Sequence, residues 1–196
     1  MLNINIGTKV AGAVMQCVIK VQSELNILPI VIEIGSAEAQ GVLRYAGYCK
    51  KVIAIDTMVK GRPDVKSLEK EDMEIDQDKL LSFKKNVDHE GFDVRLVIGS
   101  SQWKESVDSV KNELGIDMSD ILLIDGVHHP RSLVQMDFDL YSPFVKKGGY
   151  IIFDDSQEDD ILAVCNEILK SKSYERVADN KPKCSGQYNM IIRKLA

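Results

Sequence analysis

Residues 29–56 read PIVIEIGSAEAQGVLRYAGYCKKVIAID, and they open and close on short aliphatic runs. Each run is closed by a turn-forming or polar residue, Gly35 for the first and Asp56 for the second. Runs of this length and composition are strands buried on both faces, as in a parallel sheet. Residues 37–47 between them have helical spacing, so the stretch is a strand–helix–strand unit with a crossover. Working outward, DVRLVIG (93–99), DILLIDG (120–126) and GYIIFDD (149–155) repeat the strand, and 76–89, 101–114, 130–144 and 157–171 repeat the helix. The class is α/β, a doubly wound and mostly parallel sheet. Near the end, YERVAD (174–179) and QYNMIIRKL (187–195) are joined by KPKCSG, too short for a crossover helix, which predicts an antiparallel hairpin. Before the first strand, Val10, Val14, Cys17, Val18 and Val21 form a helical stripe within 8–26, expected to cover one edge of the sheet. The organisation is an N-terminal helical segment, 1–28, on a single domain, 29–196.

Composition narrows the function classes. The 196 residues are 44% hydrophobic and 28% charged, with 25 Lys+Arg against 30 Asp+Glu. Disorder, collagen and coiled coil are excluded. A formal net charge of −5 with no basic stripe argues against nucleic acid, whose phosphates need clustered cations. Cys17, Cys49, Cys165 and Cys184 form no CxxC pair, and free thiols in a cytosol are expected. MLNINIGTKV lacks the order of a signal peptide, and no apolar run approaches the ~18 residues of a membrane span. The expectation is a cytoplasmic protein with no membrane partner. The charged stretch 57–75 is long for a compact domain and reads as a lid or a mobile loop.

Open parallel sheets bind ligands at the carboxyl ends of their strands. Gly35 allows a tight turn after the first strand, and the next helix offers amides to a ligand; an ordinary strand-to-helix turn is the plainer alternative. A dinucleotide fingerprint is missing, because Ala37 and Gln40 stand where GxGxxG wants glycines. Asp56, about twenty residues on, suits the two hydroxyls of a ribose, or else caps a loop. Gly99-Ser100-Ser101-Gln102 offers hydroxyls and an amide to an adenine edge, with Ser101 also a natural helix cap. Asp125, Asp154 and Asp155 close adjacent strands, and their mutual repulsion calls for a divalent cation, Mg²⁺ or Ca²⁺ before zinc. Asp154 and Asp155 could equally begin a helix. His128 follows Asp125 by three residues and is the expected base; His129, before Pro130, reads as structural.

The set IEIG, AID, IGSSQ, LIDGVHH and GGYIIFDD resembles class I S-adenosylmethionine-dependent methyltransferases, in particular the metal-dependent small-molecule O-methyltransferases, over about residues 30–195. GSSQ is similar to the GASQ adenine segment of catechol O-methyltransferases. IDGVHH followed by KKGGYIIFDD resembles the macrocin O-methyltransferase and cephalosporin-hydroxylase-like group. The resemblance implies a strand order 3-2-1-4-5-7-6. It implies that Glu33, Gly35 and Ser36 hold the methionine end of S-adenosylmethionine, Asp56 the ribose and Ser101 with Gln102 the adenine, with Ala37, Thr57, Ser100 and Asp125 also lining the cofactor. It further implies that Asp125, Asp154 and Asp155 hold Mg²⁺ and that His128 is the base. Ala39 stands where the family's first turn has a second glycine, and Asp155 where catechol enzymes have asparagine, which fits the sugar-modifying branch better. The expected activity is Mg²⁺-dependent O-methylation of a small hydroxylated acceptor, a sugar or a phenol, by a protein expected to form a homodimer. The alternatives are a nucleotide- or S-adenosylmethionine-binding module without transfer and, on weaker ground, a nicotinamide-dependent oxidoreductase.

Overall fold

The computed structural model describes residues 9–59, 74–180 and 188–196. The stretch read as a lid and the hairpin turn KPKCSG lie largely or wholly outside the described residues. Along the chain run α1 (Lys9–Leu25), β1 (Ile30–Ile34), α2 (Leu43–Ala46), β2 (Lys51–Asp56), α3 (Gln77–Glu90), β3 (Val94–Ile98) and α4 (Lys104–Leu114). They are followed by β4 (Ser119–Ile124), α5 (Arg131–Tyr141), a 3₁₀ turn (Ser142–Phe144), β5 (Val145–Phe153), α6 (Asp159–Ile168), β6 (Tyr174–Asn180) and β7 (Asn189–Lys194). The seven strands form one sheet in the order β3-β2-β1-β4-β5-β7-β6. The first five are parallel, while β7 pairs antiparallel with both β5 and β6, as expected.

Period-two alternation explains why the central strands read as unbroken apolar runs. Val31, Val52, Ala54, Ile121, Leu123 and Ile152 face a layer formed with α1, α2 and α3. Their sequence neighbours Ile32, Ile53, Ile55, Leu122 and Ile151 face a second layer with α4, α5 and α6. Both faces are covered, so neither set of alternate positions is polar.

Two expectations need correction. Helix α1 packs across β4, β5, β6 and β7 and against α2, so it covers a face rather than an edge. Ala11, Ala13, Val14, Cys17, Val18 and Val21 are buried there, a stripe too wide for an edge and already used up within the chain. The helix expected over 37–47 shrinks to the four residues of α2, because Ala37 (φ 48°) and Ala39 (φ 65°) are left-handed. Such residues stop a right-handed helix from starting. No helix among the described residues is long and apolar enough to cross a membrane.

Candidate active site

Hydrogen bonding between strands continues one residue past their ends and sets the site's first positions side by side. Gly35 N–H donates to Ile55 O (2.9 Å), Asp125 N–H to Ile34 O (3.0 Å), Gly99 N–H to Asp56 O (3.0 Å) and Asp154 N–H to Ile124 O (3.1 Å). Gly35 is left-handed, with φ 88°, and a Cβ built on it would lie 1.9 Å from the Asp125 carbonyl oxygen. Only glycine lets these two loops pass so closely.

Above these ends opens a cleft of about 680 Å³. Gly35, Ala37, Asp56, Thr57, Ser100, Ser101, Gln102, Asp125, His128, Asp154 and Asp155 all line it, although they come from five separate loops. Glu33 and Ser36 do not line it. Both are buried beneath the first turn, and Glu33 Oε2 and Ser36 Oγ have no hydrogen-bond partner. Burial, then the charges of Asp125, Asp56 and Asp154, pushes the Glu33 carboxyl well above its ordinary 4.5.

At one end Asp56 is heavily engaged. Its Oδ2 accepts from Ala37 N–H (2.8 Å), and its Oδ1 accepts from Met58 N–H (2.7 Å) and Lys79 Nζ (2.9 Å). Lys79 is aimed there by the start of α3, where the Asp76 side chain accepts from the amides of Asp78 and Lys79. In the neighbouring loop the Gln102 amide turns inward: Nε2 donates to Asp137 Oδ1 (2.5 Å) and Ser101 Oγ (2.8 Å), while Ser100 Oγ donates to Gln102 Oε1 (2.5 Å).

The other end is acidic. Burial raises the Asp125 carboxyl, with a hydrogen bond to His128 and one to Asp154 opposing. Burial and the Asp125 charge push Asp154 up to about 8. Two buried carboxyls in contact share a proton rather than both ionise. His128 sits between Asp125 (3.7 Å), Asp155 (3.7 Å) and Glu158 (3.4 Å). The Asp125 carboxylate beside it raises it to about 9 against the opposing effect of burial, which favours the imidazolium at neutral pH. His129, exposed, bridges Glu158 and Asp160 at 2.8 Å each and so ties the loop to the start of α6.

The donor atoms that lie within 4.8 Å of one another are those of His128, Asp155 and Glu158, and among the described residues no other such group of His, Cys, Asp or Glu occurs. The expected set Asp125, Asp154 and Asp155 gathers at the same end without meeting that spacing. Asp125 and Asp154 contact each other, and His128 stands between Asp125 and Asp155. The donors are chiefly carboxylate oxygens with one imidazole, and their charge exceeds that of the two histidines beside them. This chemistry fits a divalent cation.

A family model described as a methyltransferase domain matches residues 34–156, well over half of the sequence. The chain belongs to this methyltransferase family. The methyltransferase fold is shared with solved structures of low sequence identity. The O-methyltransferase NovP is 17% identical, with a TM-score of 0.68 and coverage of 97% of this chain and 81% of that one. An rRNA methylase from Streptococcus thermophilus is 10% identical at 0.65, covering 97% and 99%. The N-methyltransferase NodS from Bradyrhizobium japonicum WM9, solved with S-adenosyl-L-homocysteine, is 10% identical at 0.62, covering 96% and 89%. An uncharacterized protein of Acanthamoeba polyphaga mimivirus is 54% identical over 39 residues, which is 20% of this chain and only 17% of the length of that relative.

Three residues in or beneath the cleft escaped the reading of the sequence. Lys79 and Glu158 look like ordinary first-turn or capping residues of surface helices, and nothing local distinguishes them. Asp137 did carry a signal. It falls on the apolar stripe of α5, among Val134, Phe138 and Tyr141, where a carboxylate is out of place.

Proposed function

We propose that this methyltransferase transfers the methyl group of S-adenosylmethionine to a hydroxyl of a small acceptor, a sugar or a phenol, with a divalent cation at the acidic end of the cleft. The observation that carries the reading is the composition of the cleft. Asp56, Asp125, Asp154, Asp155 and Glu158 line it, with Glu33 buried beneath. Such surroundings favour a cofactor bearing a sulfonium and an ammonium, and they oppose the pyrophosphate of a nicotinamide dinucleotide. Asp56 Oδ2 keeps a lone pair for one ribose hydroxyl, since it accepts only from Ala37.

Asp125, Asp154, Asp155 and the neighbouring Glu158 would hold the cation. Bound by these residues, a divalent cation would supply Lewis acidity that lowers the pKa of an acceptor hydroxyl. His128 takes the hydroxyl proton, and for that it must first lose the proton that Asp125 stabilises on it. One observation favours a second reading, a binding module without transfer: the three carboxylates around His128 favour its protonated form, which has no basic nitrogen to offer.

The test is thermal unfolding with S-adenosylhomocysteine, S-adenosylmethionine or NAD, each with and without Mg²⁺. At a hundred times its dissociation constant a ligand adds about 2.7 kcal/mol of stability, a shift of several degrees. A shift with both adenosyl ligands and none with NAD is expected. No shift with either adenosyl ligand, in a protein that melts cooperatively, refutes the proposal. Methyl transfer to hydroxylated acceptors that needs Mg²⁺ separates the enzyme from the binding module.

A further inference from the structure

Beneath the loop between β3 and α4 lies a carboxyl that the reaction proposed above does not use. Asp137, on α5, is fully buried, and burial pushes it up to about 7 against hydrogen bonds from Ser101 and Gln102. Its two oxygens differ. Oδ1 accepts from Ser101 Oγ (2.6 Å) and Gln102 Nε2 (2.5 Å), whereas Oδ2 has no hydrogen-bond partner and faces Gly126. A proton on Asp137 therefore belongs on Oδ2, and Oδ1 remains an acceptor in either state of ionisation. Tyr141, one turn further along α5, donates from its hydroxyl to the Ser101 carbonyl (2.8 Å) and holds the same loop from below.

The consequence falls on Gln102, which lines the cleft. Its Nε2 donates toward Asp137 Oδ1 and Ser101 Oγ, two acceptors that lie only 2.6 Å apart, so the NH₂ end of the amide is turned to Asp137. Its Oε1 accepts only from Ser100 Oγ and keeps a lone pair. The reversed amide would set Gln102 Oε1 against Asp137 Oδ1, acceptor against acceptor. With Nε2 held toward Asp137, the group Gln102 keeps for a ligand donor is its carbonyl oxygen.

We propose that Asp137 is a positioning residue that fixes the orientation of the Gln102 amide, so that the cleft accepts a 6-aminopurine and discriminates against a 6-oxopurine. The inference rests on the S-adenosylmethionine reading and goes beyond it by assigning the base selectivity to a buried group that never touches the ligand. A 6-amino group donates to Gln102 Oε1, whereas a 6-oxo group meets it oxygen to oxygen and leaves both unpaired.

The experiment compares S-adenosylhomocysteine with S-inosylhomocysteine, its 6-oxo analogue, by calorimetry on the wild type and two variants. The wild type should prefer the adenine ligand about tenfold or more. In Asp137→Asn the new amide presents either a carbonyl or an NH₂ to its neighbours, so Gln102 can turn, and the preference should fall below about threefold. In Gln102→Met, at a half-exposed position that leaves Asp137 with Ser101, the adenine ligand should weaken about tenfold and the 6-oxo ligand should bind as before. A merely structural role would weaken both ligands alike and leave the ratio intact. An unchanged preference in a folded Asp137→Asn, or equal losses for both ligands in Gln102→Met, overturns the proposal. A wild type that binds S-adenosylhomocysteine with no preference overturns the proposal alone, whereas one that does not bind it overturns the cofactor reading and this inference with it.

Discussion

Replacing Asp137 by asparagine should make the protein more stable in neutral and alkaline solution relative to the wild type, and the gain should appear with pH in a defined direction. The Asp137 carboxyl is displaced from its ordinary value of 3.8 to about 7 by burial. The folded protein therefore holds a proton on it that the unfolded chain releases between those values. Stability from this group is fully present below about pH 4 and is lost as the pH rises through 7. At about 1.4 kcal/mol per pH unit the loss amounts to ~4 kcal/mol. Asparagine is nearly isosteric, keeps an oxygen for Ser101 and Gln102, and does not ionise. Urea unfolding of wild type and variant from pH 4 to pH 8 yields the difference in stability at each pH, and contributions from Glu33, Asp125 and Asp154, common to both proteins, cancel. The difference should move in favour of the variant by ~4 kcal/mol, with most of the change between pH 5 and 7. A difference that stays flat within ~1 kcal/mol means that Asp137 is ionised in the folded state at all these values, and the reasoning fails.

Gly35→Ala forces a Cβ to within 1.9 Å of the Asp125 carbonyl oxygen at a left-handed position, and should cost ~3 kcal/mol or more in urea unfolding; a variant as stable as the wild type contradicts the close approach. Lys79→Met leaves Asp56 with its backbone donors alone and should lower stability by ~1–2 kcal/mol, and an unchanged urea midpoint would show that the half-buried pair contributes nothing. His128, followed by NMR of its ring, should titrate near pH 9 without added cation and lower with Mg²⁺ present, because a cation among Asp125, Asp155 and Glu158 removes the charge that holds its proton; a midpoint near 6.5 without cation refutes that account. Asp125→Asn should lower turnover by ~100-fold or more while S-adenosylhomocysteine affinity changes less than about threefold, and equal losses in both refute the assignment of Asp125 to the cation.

How much of the molecule was legible in the sequence depended on how local the determining interactions are. The central parallel strands stood out because they are buried on both faces, which leaves an aliphatic run such as Ile121–Ile124 with no polar member. The final hairpin was legible from the short connection between its strands. The shortness of α2 was not, because Ala37 and Ala39 are left-handed despite their side chains, held in a turn where Asp56 accepts from the Ala37 amide. Most of the residues lining the cleft were found because the parallel sheet sends every strand end to the same side, whereas Lys79 and Glu158 come from the starts of helices.

The order of apolar runs, and the polar residue closing each, therefore determined by themselves the fold class, the face that carries the site and most of the residues on it. Only the tertiary structure decided what those residues are bonded to. Asp56 reads as an open carboxylate until Lys79 fills one of its oxygens, and Gln102 reads as an amide free to turn until Asp137 takes one of its hydrogens. His128 reads as a neutral base until Asp155 and Glu158, from the loop after β5, join Asp125 of its own loop around it. Burial pattern is written along the chain at a period of two or 3.6 residues. Charge state and hydrogen-bond direction depend also on partners such as Lys79, Asp137 and Asp155 that folding brings from twenty or more residues away, and no local pattern encodes those.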